Sequence, residues 1–203
     1  MGILCVCRQI GAGETTIASA VANELGWQCI DRQILDRQVE ETGVTLPEIT
    51  HFDEHAPSMI ESWTQSRDVE RYFSALKSIC ESYAKSGEVV LVGRGAGFFL
   101  RDRDALHVRL IADLPFRLKR VMEIRWVTER RAREIIRESD RDRAAFHRRF
   151  FDVDWNDPIQ YDMVLPTSRT GIDEAIKLLV AAVRSRWQLA DRVWDAPTGH
   201  PIS

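Results

Sequence analysis

The sequence has few cysteines and no long apolar run. None of its apolar stretches approaches the roughly 18 residues that a membrane-spanning helix requires, and its amino terminus lacks the basic stretch that opens a signal peptide. The four cysteines include one closely spaced pair, Cys5 and Cys7, without the second pair that a zinc site needs. Three of them lie in apolar runs, which predicts small buried side chains rather than a disulfide framework. We therefore expect a cytoplasmic protein with no membrane partner.

The sequence also lacks a large excess of either charge. Lysine and arginine number 28 against 31 aspartates and glutamates, which gives a net charge of −3. General attraction to nucleic acid or to an anionic membrane is therefore not expected. Glycine and proline, at 11 and 7 residues, are too few for a collagenous or low-complexity chain. A chain of 203 residues with 44% hydrophobic content can bury a core without disulfides or metal.

Short apolar runs alternate with helical patterns along the chain. The predicted strands are 3–7, 27–30, 89–92, 106–112 and 163–165. The predicted helices are 14–25, 68–85, one beginning near Pro115, one from Thr128 to about 138, and 172–187. Strands that are apolar throughout are typical of a parallel sheet covered on both faces. The alternation predicts an α/β fold with a doubly wound, five-stranded parallel sheet.

We predict a single domain over residues 1–195. Residues 32–67 have weak periodicity and two prolines, so we interpret them as an inserted subdomain. Residues 196–203 are predicted to form a frayed tail. His51, His55 and His147 lack the spacing of metal ligands, and we assign no metal to them.

A glycine-rich turn, Gly11-Ala12-Gly13, lies between the first predicted strand and the first predicted helix. In an open α/β sheet this loop is the usual phosphate site, because its N–H groups converge on an anion at a helix amino terminus. Thr15 and Thr16 add hydroxyls for a metal ion or for phosphate oxygens. The phosphate-loop pattern G-x-x-x-x-G-K-[ST] is matched at Gly13 and Thr15, whereas Glu14 occupies its lysine position. The alternative for such a turn is tight strand-to-helix packing.

Five segments of the chain form a recognisable series. They are Gly11 to Ala18, Leu25-Gly26-Trp27 leading to Asp31, Gly93 to Gly97, Asp140 to Arg143, and Tyr161 to Leu165 with Thr167. In this order and spacing they resemble the cytidylate kinases, especially the cytidylate-kinase-like subgroup of nucleoside-monophosphate-kinase-type P-loop proteins. The resemblance extends over most of residues 3–185.

This resemblance implies a P-loop fold and transfer of the γ-phosphoryl group of ATP to a nucleoside monophosphate or a similar small acceptor, with Mg²⁺. The implied ATP-binding residues are Gly11, Ala12, Gly13, Glu14, Thr15 and Thr16, with Thr15 as a Mg²⁺ ligand. Arg94 and, more loosely, Arg37 are assigned to the phosphate of the acceptor, together with Asp31. Arg141 and Arg143 are assigned to a lid, around residues 130–150, that closes over the donor phosphates.

Local charge supports the lid independently. Residues 117–149 hold 12 basic and six acidic side chains, a local charge of +6 in a chain whose remainder carries −9. Phosphoryl transfer uses such an element to stabilise charge on the transferring oxygens. The alternative is a solvated face whose arginines pair with nearby acids. We adopt that alternative for Arg130, Arg131, Arg133 and Arg148, and the functional role for Arg141 and Arg143.

Three positions depart from the family pattern. Glu14 replaces the phosphate-binding lysine, Val92 stands where the relatives carry an aspartate, and Gly95 replaces an aspartate that helps to read cytosine. Either Arg8 or a lid arginine replaces the charge of the lysine, or Glu14 itself helps to hold a metal ion. A second hypothesis is therefore a nucleotide-binding regulator without turnover. Nucleic-acid binding through residues 117–149 is a third and least favoured one, because acids interrupt that segment.

Overall fold

A computed structural model of the chain describes residues 2–44 and 67–189. Five parallel strands form one sheet in the order β2-β3-β1-β4-β5. The strands are β1 (Ile3–Arg8), β2 (Gln28–Ile30), β3 (Val89–Val92), β4 (Leu106–Ile111) and β5 (Met163–Pro166). The central position of β1 explains its apolar sequence, because a central strand of a doubly wound sheet is covered on both faces. The predicted sheet is confirmed.

Helices connect the strands. They are α1 (Glu14–Leu25), α2 (Arg32–Glu41), α3 (Arg67–Ser86), α4 (Ala96–Phe99), α5 (Leu114–Arg125), α6 (Glu129–Phe151), α7 (Thr167–Thr170) and α8 (Ile172–Trp187). A 3₁₀ turn covers Pro158–Gln160. Among these described helices, none is long and apolar enough to cross a membrane.

The two faces of the sheet bury separate cores. Leu4 and Val6 of β1 face α1 and α8, where Ile17, Val21 and Leu179 are fully buried. The intervening residues of β1 face α2 and α3 and pack with Leu35, Tyr72 and Leu76. A third, smaller cluster joins α5 to α6. Successive side chains of a strand point to opposite faces, so one short strand contributes to both main cores.

The termini of several helices agree with their sequence signals. Thr128 accepts a hydrogen bond from the Arg131 N–H and caps α6, and Pro115 lies in the first turn of α5, as predicted. The predicted end of α6 near residue 138 was wrong, because the helix continues to Phe151. Its second half contains no glycine or proline, and Phe146 and His147 provide a buried stripe that stabilises it.

The segment predicted as an inserted subdomain, residues 32–67, begins as a regular helix. Asp31 caps α2 by accepting a hydrogen bond from the Ile34 N–H, and Leu35 and Val39 bury its inner face. Residues 45–66 and the predicted tail, 196–203, lie outside the described residues. The extent of the subdomain and the domain limits therefore remain predictions.

The four cysteines are free thiols in different surroundings. Cys5 and Cys80 are buried, as predicted, whereas Cys7 and Cys29 are partly exposed. The assignment of Cys7 to the core was wrong, because Cys7 lines a cavity at the carboxyl end of β1.

Thr167 at the end of β5 ties that strand to the glycine turn. Its buried hydroxyl lies 2.8 Å from the Ala12 carbonyl oxygen and 3.1 Å from the Ile111 carbonyl oxygen. We predict that Thr167→Val lowers the free energy of unfolding by about 2 kcal/mol, because buried carbonyl oxygens lose their donor. Thr167→Ser keeps the hydroxyl and is the control. Equal stability of the valine and serine variants in urea denaturation would contradict this role.

Candidate functional site

The glycine turn lies beyond the carboxyl end of β1, where it leads into α1. Gly11 and Gly13 have φ angles of 79° and 87°, in the left-handed region, and a Cβ at Gly11 would contact the backbone of Arg117. Glycine is therefore required by both conformation and space at this position. The first N–H groups of a helix have no partner inside the helix, so the start of α1 can bind an anion.

A cavity of about 460 Å³ opens beside this turn, and we call it the arginine cavity. Gly11, Gly13 and Thr16 lie on one wall and Asp31 on another. The guanidinium-bearing residues that line it are Arg8, Arg32, Arg120, Arg125 and Arg143. Among the described lining residues, five cations thus face one carboxylate. Such a cavity favours a ligand with several negative charges.

A partly buried ion pair holds helices α5 and α6 against the glycine turn. The Arg117 guanidinium donates to both carboxylate oxygens of Asp140, at 2.8 and 2.6 Å, and its Nε donates to the Ile10 carbonyl at 2.8 Å. The Arg117 side chain is 5% exposed. Bidentate geometry of this kind fixes the relative position of the two helices.

Arg143 connects α6 to the end of β1. Its Nη1 donates to the Arg8 carbonyl oxygen at 2.7 Å, and its Nε donates to the Ser139 hydroxyl at 3.1 Å. Arg143 lines both the arginine cavity and a second, smaller cavity. It is therefore the arginine of α6 that lies at the centre of the site.

The second cavity has a volume of about 70 Å³, and we call it the aromatic cavity. It lies between the ends of β1, β3 and β4 and helix α6. Phe98, Phe146, His147 and Tyr161 form much of its wall, with Cys7, Arg94 and Arg143 among the remaining lining residues. Arg8, Arg32 and Arg143 line both cavities, so the two adjoin.

Arg94 is held by a carboxylate at the wall of the aromatic cavity. Its Nε and Nη2 donate to the two oxygens of Asp36, at 3.0 and 2.7 Å, and the Tyr72 hydroxyl donates to Asp36 Oδ1 at 2.9 Å. Burial raises the pKa of Tyr72, so this phenol remains a donor at neutral pH. Arg94 has a φ of 48° between two glycines, and the Arg8 guanidinium fills the space that a Cβ at Gly93 would occupy.

The predicted site residues are distributed unevenly. Gly11, Gly13, Thr16, Asp31 and Arg143 line the arginine cavity, and Ala12 is buried in the turn. Arg94 lines the aromatic cavity. The side chains of Glu14 and Thr15 lie outside the described part of the structure, so the Mg²⁺ assignment to Thr15 stays a prediction.

Two arginines assigned through the resemblance lie away from the described cavity walls. Arg141 has a side chain that is 51% exposed and is 3.5 Å from Asp142. Arg37 is exposed on α2 and is not among the residues that line either cavity. Their roles remain predictions.

Sequence reasoning did not single out Arg32, Arg120 and Arg125 as cavity residues. Arg32 directly follows Asp31 at the carboxyl end of β2, and that position was the signal that could have identified it. Arg120 and Arg125 belong to the basic segment 117–149, whose charge does not indicate which of its arginines point into a cavity.

The solvated alternative is confirmed for Arg131 and Arg133, which pair with Glu134 and Glu129 on the surface of α6.

Comparison with known proteins gives one consistent result. A model of the cytidylate kinase-like family matches residues 3–169. A cytidylate kinase from Methanopyrus kandleri is 28% identical over 184 residues, covering 85% of this chain and 88% of that protein. A cytidylate kinase from Pyrobaculum islandicum is 27% identical, covering 88% of this chain and 90% of that protein.

Solved structures show the same fold at lower identity. An uncharacterized protein from Eubacterium ventriosum superimposes with a TM-score of 0.70 at 20% identity, covering 91% of this chain and 99% of that one. A shikimate kinase from Bacteroides thetaiotaomicron gives a TM-score of 0.54 at 18% identity, covering 93% and 99%. These likenesses confirm the predicted P-loop kinase fold.

We predict that Asp36→Asn lowers the free energy of unfolding by about 3 kcal/mol, because it leaves the buried Arg94 guanidinium without its counter-charge. Urea denaturation measures the change. The double variant Asp36→Leu/Arg94→Met is expected to recover part of the loss, since it removes both charges together. A single variant as stable as the original chain would show that the ion pair contributes nothing to folding.

Proposed function

Because the chain belongs to the cytidylate kinase-like family, we propose that it is an ATP-dependent phosphotransferase that transfers the γ-phosphoryl group to a nucleoside monophosphate or a similar small acceptor. The observation that carries this proposal is the arginine cavity beside the glycine turn. Its five guanidinium groups and the start of α1 match the charge and the size of a polyphosphate chain.

The reaction needs positioning and charge stabilisation more than covalent participation by the protein. An oxygen of the acceptor attacks the γ-phosphorus while the bond to the oxygen that bridges the β- and γ-phosphorus breaks, and ADP leaves. Negative charge spreads over the transferring oxygens. Arg143 lies where the two cavities adjoin, so its guanidinium is placed to stabilise that charge.

The other side chains take roles according to the wall they occupy. The backbone of Gly11 to Thr16 binds the donor phosphates, and Arg120 and Arg125 line the same cavity. Arg32 and Arg94 face the acceptor side, and the Asp36 carboxylate keeps the Arg94 guanidinium in one orientation. This arrangement supplies the preorganised cations that phosphoryl transfer requires.

The described residues fit a Mg²⁺ ion that arrives with the nucleotide. Mg²⁺ usually keeps several waters and takes one or two protein oxygens besides phosphate oxygens. The described wall of the arginine cavity offers the Asp31 carboxylate and the Thr16 hydroxyl. When bound, the ion would neutralise charge on the donor phosphates; these two residues would hold it, together with the predicted ligand Thr15.

We predict that the purified chain with Mg²⁺ and ATP forms ADP only when an acceptor is present. The measurement is a coupled assay across the common nucleoside monophosphates and small hydroxyl acceptors. Arg143→Ala should lower kcat/KM at least about 100-fold, because it removes a cation at the transferring group.

Arg130→Ala is the matched control, since Arg130 is an exposed arginine of the same helix that does not line either cavity; it should leave the rate unchanged. Arg141→Ala tests the assignment made from the resemblance. Background ADP formation with every acceptor would refute the proposal.

Glu14 favours a second candidate, a regulator that binds a nucleotide without turnover. A glutamate at the lysine position places a negative charge in the sequence next to the predicted phosphate site. Val92, which lines the arginine cavity and is 3% exposed, likewise offers no metal-binding oxygen in its side chain.

Glu14→Lys separates the two candidates. If the chain is a regulator, calorimetry should detect nucleotide binding by the original chain without turnover, and the variant should gain activity. If the chain is an enzyme that uses other cations, the variant should change kcat by less than about tenfold, because the arginines already supply the charge.

A further inference from the structure

The aromatic cavity contains a cysteine whose surroundings differ from those of the other three. Cys7 is the second-last residue of β1 and lines the cavity. Its side chain contacts His147, Trp155 and Tyr161, which come from α6 and from the segment that follows it. The phosphotransfer proposed above uses none of these four side chains.

The hydrogen bonds around Cys7 run toward its sulfur. The indole N–H of Trp155 is a donor only, and Nε1 lies 2.9 Å from Cys7 Sγ. The Tyr161 hydroxyl lies 3.6 Å from the same sulfur and 3.0 Å from the Trp155 carbonyl oxygen, so its one hydrogen is shared between the two acceptors. A donor aimed at sulfur stabilises a thiolate more than a thiol.

His147 supplies the partner for the proton. Its Nδ1 lies 2.7 Å from the Arg143 carbonyl oxygen, which accepts only, so Nδ1 carries a hydrogen. The ring stacks on Trp155 with an interplanar angle of 21°, and the residue is 5% exposed. The imidazole is thus fixed in the wall of the cavity that Cys7 also lines.

The four thiols differ in acidity for physical reasons. Burial by itself raises the pKa of Cys7, but the hydrogen bond and charge of His147, with the donors Tyr161 and Trp155, outweigh it and lower the pKa to about 6. Burial raises the pKa of Cys5 and of Cys29, and raises that of Cys80 to about 12. Cys5, Cys29 and Cys80 therefore serve as internal controls for the reactivity of Cys7.

The charged groups that line the cavity also favour an anion. Guanidinium groups reach it from β1, α2, the turn after β3, the segment after α4, and α6, namely Arg8, Arg32, Arg94, Arg101 and Arg143. Asp142, which is 3% exposed and pairs with Arg141, is the one carboxylate among the described lining residues. Burial lowers the pKa of His107, and the raised pKa of Cys5 keeps that thiol neutral.

Size limits what can reach the sulfur. A site for one water needs roughly 10–15 Å³ of free space, so a cavity of about 70 Å³ accepts a few water-sized molecules. Hydrogen peroxide has two heavy atoms and fits.

We propose that Cys7, held among His147, Trp155 and Tyr161, is a modification site at which a small peroxide oxidises the thiolate to a sulfenic acid. The sulfur attacks one peroxide oxygen, an S–O bond forms and the O–O bond breaks. Sulfur loses two electrons to the peroxide, and the departing hydroxide takes the proton held by His147 and leaves as water. The oxidised sulfur then lies beside Arg8 and Arg143.

The test treats the folded full-length chain with hydrogen peroxide for timed intervals, removes the peroxide, and then adds dimedone in denaturant so that the probe reaches the sulfur, followed by tryptic peptide mass spectrometry. Residues 1–8 form one tryptic peptide that carries both Cys5 and Cys7, and fragmentation assigns the adduct. We expect trapping at Cys7 at neutral pH, at least about tenfold faster than at Cys5, Cys29 or Cys80, because thiolate fraction sets the rate. The rate should fall with a midpoint near pH 6 as the thiolate is protonated.

Two variants separate a specific role from a structural one. His147→Gln should shift the midpoint upward by at least about one pH unit and slow trapping at acidic pH about tenfold. His107→Gln is the matched control, since His107 lines the same cavity and does not contribute to the acidity of Cys7; it should leave the profile unchanged. Circular dichroism verifies folding.

If His147→Gln does not fold, the unmodified chain decides the question through the ultraviolet thiolate absorption that Cys7→Ser removes. A midpoint at pH 8 or above would overturn the proposal. Equal trapping at Cys5 and Cys7 would overturn it as well. None of these readouts depends on phosphotransferase activity.

Discussion

The partly buried ion pair between Arg117 and Asp140 is the contact on which the site depends. It joins α5 to α6, and through the Ile10 carbonyl it joins both helices to the glycine turn. A guanidinium with three short hydrogen bonds in a buried position has little freedom, so the helices cannot slide along the end of the sheet. Arg120 and Arg143 take their places in the arginine cavity because α5 and α6 are held there.

The arginines of the site fall into two groups: some are fixed by a carboxylate, and others are exposed. Arg94 and Arg117 are nearly buried, and each is bound to a carboxylate through two hydrogen bonds. Arg125 and Arg141 are exposed. Arg125 lines the arginine cavity, whereas Arg141 is not among its described lining residues. Fixed guanidinium groups have their positions before any ligand binds. The protein therefore reorganises less when negative charge develops on a bound ligand. The bidentate contact with Asp36 thus gives Arg94 a definite orientation at the wall of the aromatic cavity.

Several features of the site followed from local sequence, and others did not. The glycine turn and Arg94 were found because each follows an apolar strand, and carboxyl ends of parallel strands share one edge. The roles of Arg120 and Arg125 depend on which face of α5 meets the turn, and the contact of Arg117 on α5 with Asp140 on α6 decides that. Cys7 was taken for a core residue because alternation in β1 predicts its side of the sheet but not the cavity beyond it.

The sequence by itself determined the strands, the doubly wound sheet and, to within one residue, the limits of α1, α3 and α8. These depend on hydrophobic period and end signals within about 20 residues, as for Thr128 and Gly26. Only the tertiary structure decided which charges meet across long separations, such as Arg143 with the Arg8 carbonyl, or which donors surround Cys7. Those contacts join residues more than 130 positions apart, and no local pattern encodes the direction in which a side chain points once the helices have packed.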